Sequence, residues 1–150
     1  MNLVAETSSE RLLLDTAIVV RYAREDALSA AIESQYRLSS LSLVPLISIV
    51  SVGELYSLAG QWNWGQAKVR KLEGLINDLV IVPLDYSGIV RAYATIDAYC
   101  VKNGLPHGEN DVWIAATAHV TATRLLTTDR DFDGLDPVFI SHDWIDPHTI

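Results

Sequence analysis

Short, mostly apolar runs, each followed by a stretch with helical spacing, constrain the fold of this chain more than any other feature. Arg11-Leu12-Leu13-Leu14, residues 43–49, Val80-Ile81-Val82-Pro83 and residues 124–127 read as strands, with Val138-Phe139-Ile140 as a short fifth. Helices are expected over residues 17–22, capped by Asp15 or Thr16, and over residues 26–37, with Leu28, Ile32 and Tyr36 on one face. The second strand turns into a helix near residues 48–51 that carries Leu55, Leu58 and Ala59. Further helices are expected over residues 67–79, 86–103 (stopped by Gly104) and 111–120. Strands alternating with helices imply an α/β fold of three layers, with a mostly parallel central sheet flanked by helices. Ligands of such sheets bind at the carboxyl ends of the strands. The residues found there therefore decide the function.

The 150 residues fit one domain, expected over residues 11–150, with residues 1–10 as a polar N-terminal extension. Cys100 is the one cysteine. An intramolecular disulfide and a cysteine-built zinc site are therefore excluded, and Cys100 reads as a core residue. Residues 41–59 are apolar, but Pro45, Gly53 and several serines break them up, so they read as strand and helix rather than a membrane span. With no signal peptide expected, the setting is cytoplasmic, with no membrane partner.

The net charge of −8 excludes a generic basic nucleic-acid surface. Nucleic acid remains a candidate partner only if the acids are concentrated in one place and neutralised by metal. Asp15 follows the first strand, Asp129 follows the fourth, and Glu54 sits early in the helix after the second. All three then fall on one sheet edge if the strands are parallel. Asp111 opens the helix leading into the fourth strand and belongs to the same edge. The helix before it is expected to descend as well, so that residues 104–110 must climb back across the sheet. Two like charges at 4 Å cost about 4 kcal/mol at an effective dielectric near 20. A divalent cation removes that cost, and an all-oxygen ligand set favours Mg²⁺ or Mn²⁺, one or two ions, over zinc. Such a site suits phosphodiester hydrolysis, with water activated and phosphoryl charge neutralised. Setting aside Asp15, Glu54, Asp111, Asp129 and Asp131 leaves −3 of the −8.

Four segments carry a resemblance: Leu12-Leu13-Leu14-Asp15-Thr16, residues 47–55, Asn110-Asp111-Val112-Trp113-Ile114-Ala115-Ala116-Thr117-Ala118, and Leu126-Thr127-Thr128-Asp129-Arg130-Asp131-Phe132. In order and spacing they resemble the motifs of PIN-domain ribonucleases of the VapC-type toxin branch. The resemblance implies a Mg²⁺-dependent endoribonuclease, a homodimer, and inhibition by a cognate antitoxin protein. Carried over by motif, the catalytic and metal-binding acids are Asp15, Glu54, Asp111 and Asp129, with Asp131 a fifth candidate. Thr16 and Thr127 match positions where the family keeps a hydroxyl near the metal or the scissile phosphate.

Each acid also has a structural reading. Asp15 and Asp111 serve as helix caps, Glu54 completes a capping box with Ser51, and Asp129, Asp131 and Asp133 form a solvated turn. Arg21 and Arg24, or Lys68, Arg70 and Lys71, are candidates for RNA phosphates, with Trp62 or Trp64 stacking a base. Alternatively these cations are solvated faces and the tryptophans pack at a dimer or antitoxin interface. His107, His119, His142 and His148 show no ligand spacing and take no catalytic role. Two other classes stay open: a catalytically silent PIN-like module binding RNA or protein, and an aspartate-based phosphatase. The phosphatase is disfavoured because Ala17 stands where a second aspartate is needed.

Overall fold

The computed structural model describes residues 10–148. All but the last residue of the N-terminal extension expected over residues 1–10 therefore lies outside the described residues. The strands are β1 (Leu12–Leu14), β2 (Leu46–Ser48), β3 (Val80–Val82), β4 (Arg124–Thr127) and β5 (Ser141–Trp144). They form one sheet in the order β3-β2-β1-β4-β5, and every pairing is parallel. The α-helices are α1 (Thr16–Arg24), α2 (Ala27–Tyr36), α3 (Ile49–Gln61), α4 (Gln66–Asn77), α5 (Ile89–Asn103) and α6 (Glu109–Thr121). Short 3₁₀ turns cover Leu38–Ser40 and Arg130–Leu135. Among the described residues no helix is long and apolar enough to cross a membrane.

A parallel sheet covered on both faces needs strands apolar on both faces, and the leucine-rich runs supply them. On β1, Leu12 and Leu14 face a core with Ile18 and Val19 of α1, Leu28 and Ile32 of α2, and residues of α3 and α4. Leu13 faces the other way, with Leu46, Leu125, Phe132 and the inner sides of α5 and α6. Two helical layers thus enclose the sheet. Cys100 is fully buried in the second core, as its place in a helix suggested.

Two expectations need correction. The fifth strand is Ser141–Trp144, not Val138-Phe139-Ile140. The amides of Phe139 and Ile140 both bond the Leu135 carbonyl, closing the end of the 3₁₀ turn. The ladder to β4 instead pairs polar Ser141, His142 and Asp143, which hydrophobic patterning passes over at a half-exposed edge strand. The second correction concerns the climb expected of residues 104–110. Gly88, at the start of α5, packs against Val120 near the end of α6, and Tyr93 stacks on Trp113 with ring centroids 3.9 Å apart. The two helices are antiparallel, so α5 itself makes the ascent. Residues 83–88 make the descent, and α5 begins three residues later than expected, after Gly88 in the left-handed region (φ 95°).

This topology places the carboxyl ends of β1 and β4 side by side, at the point where the winding of the sheet reverses. Parallel α/β sheets open a crevice for ligands at such a point. Asp15 leaves β1 there, and Thr128 and Asp129 leave β4.

Candidate functional site

Asp15 is the N-cap of α1 and is only 6% exposed. Its Oδ1 accepts from the Thr16 amide (2.8 Å) and its Oδ2 from Thr127 Oγ1 (2.7 Å). The capping role and the edge position are therefore both real. Thr127 Oγ1 also accepts from the Asp129 amide (3.0 Å), so one buried hydroxyl ties the exits of β1 and β4 together. Glu54 Oε1 accepts from Thr16 Oγ1 (2.6 Å), and Thr16 Oγ1 lies 2.9 Å from the buried Ser51 hydroxyl. Glu54 Oε2 accepts from Asn110 Nδ2 (3.2 Å), joining α3 to the start of α6.

The capping-box reading of Glu54 fails. Ser48 caps α3, its hydroxyl accepting from the Val50 amide, and Ser51 lies inside the helix. The cap reading of Asp111 fails too. Gly108 is the N-cap of α6, and Asp111 sits three residues later, within the first turn. Among the described residues no hydrogen-bond donor reaches the half-buried Asp111 carboxylate. Acidic side chains lie close to it. Single carboxylate oxygens of Asp111, Asp129 and Asp131 lie within 4.8 Å of one another. Asp129 Oδ1 accepts from the Asp131 amide (2.8 Å), a tight turn that brings both acids to the cluster.

The electrostatics follow from this placement. Burial pushes the Asp15 carboxyl up to about 6. The hydrogen bonds from Thr127 and Thr16 oppose the rise, and the charges of Glu54 and Asp129 add to it. Asp111 rises further, to about 7, through burial and then the charges of Asp15, Asp129, Asp131 and Glu54. Such crowding is what a cation relieves. The donor set is carboxylate oxygen, which fits a hard divalent ion such as Mg²⁺ or Mn²⁺ and not a thiophilic one.

Of the cations singled out in the sequence, Arg21 and Arg24 line the cleft above these acids. Arg21 is paired to Asp26 (3.0 Å), and the Arg24 guanidinium lies 4.4 Å from the centroid of the Trp62 ring. Lys68, Arg70 and Lys71 are engaged elsewhere on α4. Lys68 lies over Trp64, Arg70 donates to Gln66, and Lys71 pairs with Glu25. Asp133 is exposed in the 3₁₀ turn, as the solvated-turn reading has it, and its carboxylate also binds Arg130 and His142. Asn110 and Arg130 belong to the site without being singled out in the sequence, and Ser51 belongs to it although the sequence marks it only as a capping partner. All three stand inside the quoted motifs, where neighbouring acids carried the visible signal.

Thr127→Val is expected to cost about 1–3 kcal/mol of stability, because Asp15 Oδ2 and the Asp129 amide lose their shared partner in a buried place. A lower urea midpoint with an unchanged m-value checks this; an unaltered midpoint would show that the hydroxyl does not brace the site.

The fold agrees with a comparison of sequence families, in which the model of the PIN domain matches residues 12–136. The chain belongs to the PIN-domain family. Curated proteins offer no sequence match. Among solved structures, this PIN domain is similar to a chain of VapBC2 from Rickettsia felis bound to a promoter DNA fragment. The TM-score is 0.72 at 19% identity, over 88% of this chain and 96% of that one. It is similar to a chain of FitAcB from Neisseria gonorrhoeae, with TM-score 0.68 and 24% identity over 92% and 99% of the two chains. VapBC-5 of Mycobacterium tuberculosis, a member of the VapBC family of toxin–antitoxin systems, gives 0.61 and 22% over 91% and 98%. At these identities the likeness establishes a shared fold, in which the PIN domain here keeps its acids at the β1/β4 crevice.

Proposed function

We propose that this PIN domain is a Mg²⁺- or Mn²⁺-dependent endoribonuclease of the cytoplasm, the toxin of a type II toxin–antitoxin pair. The observation that carries the reading is Asp111, a half-buried carboxylate with no donor of its own among the described residues, facing other acids at the sheet's switch point. Asp15, Glu54, Asp111 and Asp129 would hold the ion or ions, with Asp131 beside them. A divalent cation bound there supplies Lewis acidity, activating water and neutralising charge on the phosphoryl oxygens.

The chain's own groups set the geometry. Thr127 and the Thr16 amide hold both oxygens of Asp15, so that carboxylate keeps one orientation. Thr16 and Asn110 do the same for Glu54. Thr16 and Thr127 thus support the acids through hydrogen bonds. Arg21 and Arg24, on the cleft wall, are placed to hold RNA phosphates; Lys68, Arg70 and Lys71 lie away from the cleft and are assigned no such contact. The partners proposed are an RNA substrate, a cognate antitoxin and a second copy of the chain. The antitoxin is supported by the likeness to chains solved in toxin–antitoxin complexes. The homodimer is supported by edge strand β3, where Val80 and Ile81 are 42% and 40% exposed.

The test is cleavage of structured RNA by the purified chain. Activity is expected with Mn²⁺ or Mg²⁺, to stop on adding chelator, and to survive His107→Ala, because among the described residues the His107 ring bonds only the Leu105 carbonyl. Undiminished cutting in EDTA, with contaminating nuclease excluded, would overturn the metal-dependent reading. RNA bound but never cut would favour the silent module, and turnover of a small phosphate ester alone would favour the phosphatase.

A further inference from the structure

Arg130 follows Asp129 directly, and its side chain lines the same cleft as Asp15, Asp111 and Asp129. Its guanidinium is stacked 3.4 Å from the centroid of the Trp144 ring, at the carboxyl end of β5. The Trp144 indole N–H donates to the Thr128 carbonyl (3.0 Å), which fixes the ring against the segment that bears Asp129. Arg130 Nη1 donates to Asp133 Oδ2 (3.1 Å). Asp133 in turn lies 2.8 Å from His142 Nε2, and the other ring nitrogen of His142 is 2.8 Å from Asp136 Oδ2. Trp144 on one side and the series Asp133–His142–Asp136 on the other therefore brace one arginine whose side chain is still 62% exposed. An ordinary exposed ion pair three residues apart contributes little and needs no such bracing. Among the described residues Asp133 engages Nη1 and no other acceptor reaches the guanidinium, so its remaining donors can meet a ligand, and a planar fork presented this way matches phosphate oxygens.

We propose that Arg130 is a substrate-binding residue that takes a backbone phosphate of the RNA strand lying in the cleft. The inference rests on the nuclease reading above and deepens it. It also meets the charge problem, since an acidic floor repels a polyanion unless a fixed cation stands at its rim. Trp144 and Asp133 are positioning residues that hold the guanidinium at the β4 side of the cleft, while Arg21 and Arg24 lie along α1.

The experiment measures RNA cleavage with Mn²⁺ across a salt series for the wild type, Arg130→Ala, Arg130→Lys and Arg91→Ala. Arg91 lies on α5, against a different cavity. Arg130→Ala is expected to raise KM about tenfold, as the loss of one charge-assisted contact does, with kcat changed by less than about threefold. The slope of log KM against log salt should fall by about 0.7, one phosphate contact on a single strand. Arg130→Lys should restore the slope, and Arg91→Ala should change neither quantity. An Arg130→Ala enzyme with unaltered KM and salt slope, whatever its melting temperature, would overturn the assignment and leave the nuclease reading standing. A wild type that cuts no RNA at all would overturn both.

Discussion

Asp111→Asn is expected to lower RNA cleavage by about a thousandfold and, in metal-free protein, to raise the melting temperature. The two effects have one cause. Asp111 accepts no hydrogen bond among the described residues and is surrounded by Asp15, Asp129, Asp131 and Glu54, so removing its charge breaks no contact and relieves repulsion. About 2 kcal/mol of relief corresponds to roughly 4–8 °C in a domain of this size. The loss of activity follows because a neutral amide no longer helps hold the cation, whose charge stabilisation is worth several kcal/mol; about 4 kcal/mol is a thousandfold. Stability is read by calorimetry in chelator, and activity by single-turnover cleavage. A variant that melts lower than the wild type yet cuts RNA normally would make Asp111 a structural residue. Asp15 cannot serve for this test, because Asn in its place would turn an N–H₂ group toward Thr127 or Thr16 and break a buried hydrogen bond.

Metal and protons should compete for the same oxygens, which gives a second large effect with a definite sign. Asp15 and Asp111 are raised from 3.8 to about 6 and about 7 in the folded chain. Above pH 3.8 the unfolded chain has begun to lose these protons while the folded chain still holds them. The folded state therefore binds more protons through that window, and stability falls as pH rises from about 4 to about 7. Asp26, Glu33 and Asp133 are shifted the other way, and their contribution is already complete near pH 5. Between pH 5 and 7 the metal-free protein should therefore melt progressively lower. Mn²⁺ should reverse this. Binding at a hundred times Kd contributes about 2.7 kcal/mol, and the gain should grow with pH as the two acids ionise. Melting curves from pH 5 to 7.5, with chelator and with millimolar Mn²⁺, check the prediction. Two superimposable families of curves would leave the acidic cluster without a cation-binding role. In Asp111→Asn both the pH slope and the metal gain should shrink.

The elements that could be read from the chain are those whose burial demands a pattern. Leu12-Leu13-Leu14 and Leu125-Leu126 are apolar on successive residues because both faces of β1 and β4 are covered, so their strand character and parallel pairing were legible. The order of Asp15, Glu54, Asp111 and Asp129 relative to those strands then placed four acids on one edge, and the motifs pointed to the PIN-domain family. Strand β5 was misplaced because Ser141-His142-Asp143-Trp144 forms a half-exposed edge, where hydrogen bonding alone selects the segment and side-chain polarity does not.

Tertiary structure decided whatever depends on groups distant in the chain. Spacing alone allowed Ser51 and Glu54 to cap one another. Only the packing of α1 against α3 shows Thr16 taking Glu54 instead, 38 residues away. Likewise, Asp111 at a helix start looks like a cap until Gly108 is seen to cap α6 and the Asp111 carboxylate is seen to face Asp129 and Asp131. Arg130 is the sharpest case. In the chain it is one basic residue in an acidic turn, and its stacking partner Trp144 arrives from a different strand. A sequence determines which residues must be buried and which chemistries are available. Which oxygens share a cation, and which cations stay free to meet a ligand, depends on distances of a few ångströms between strands, and those exist only once the sheet has assembled.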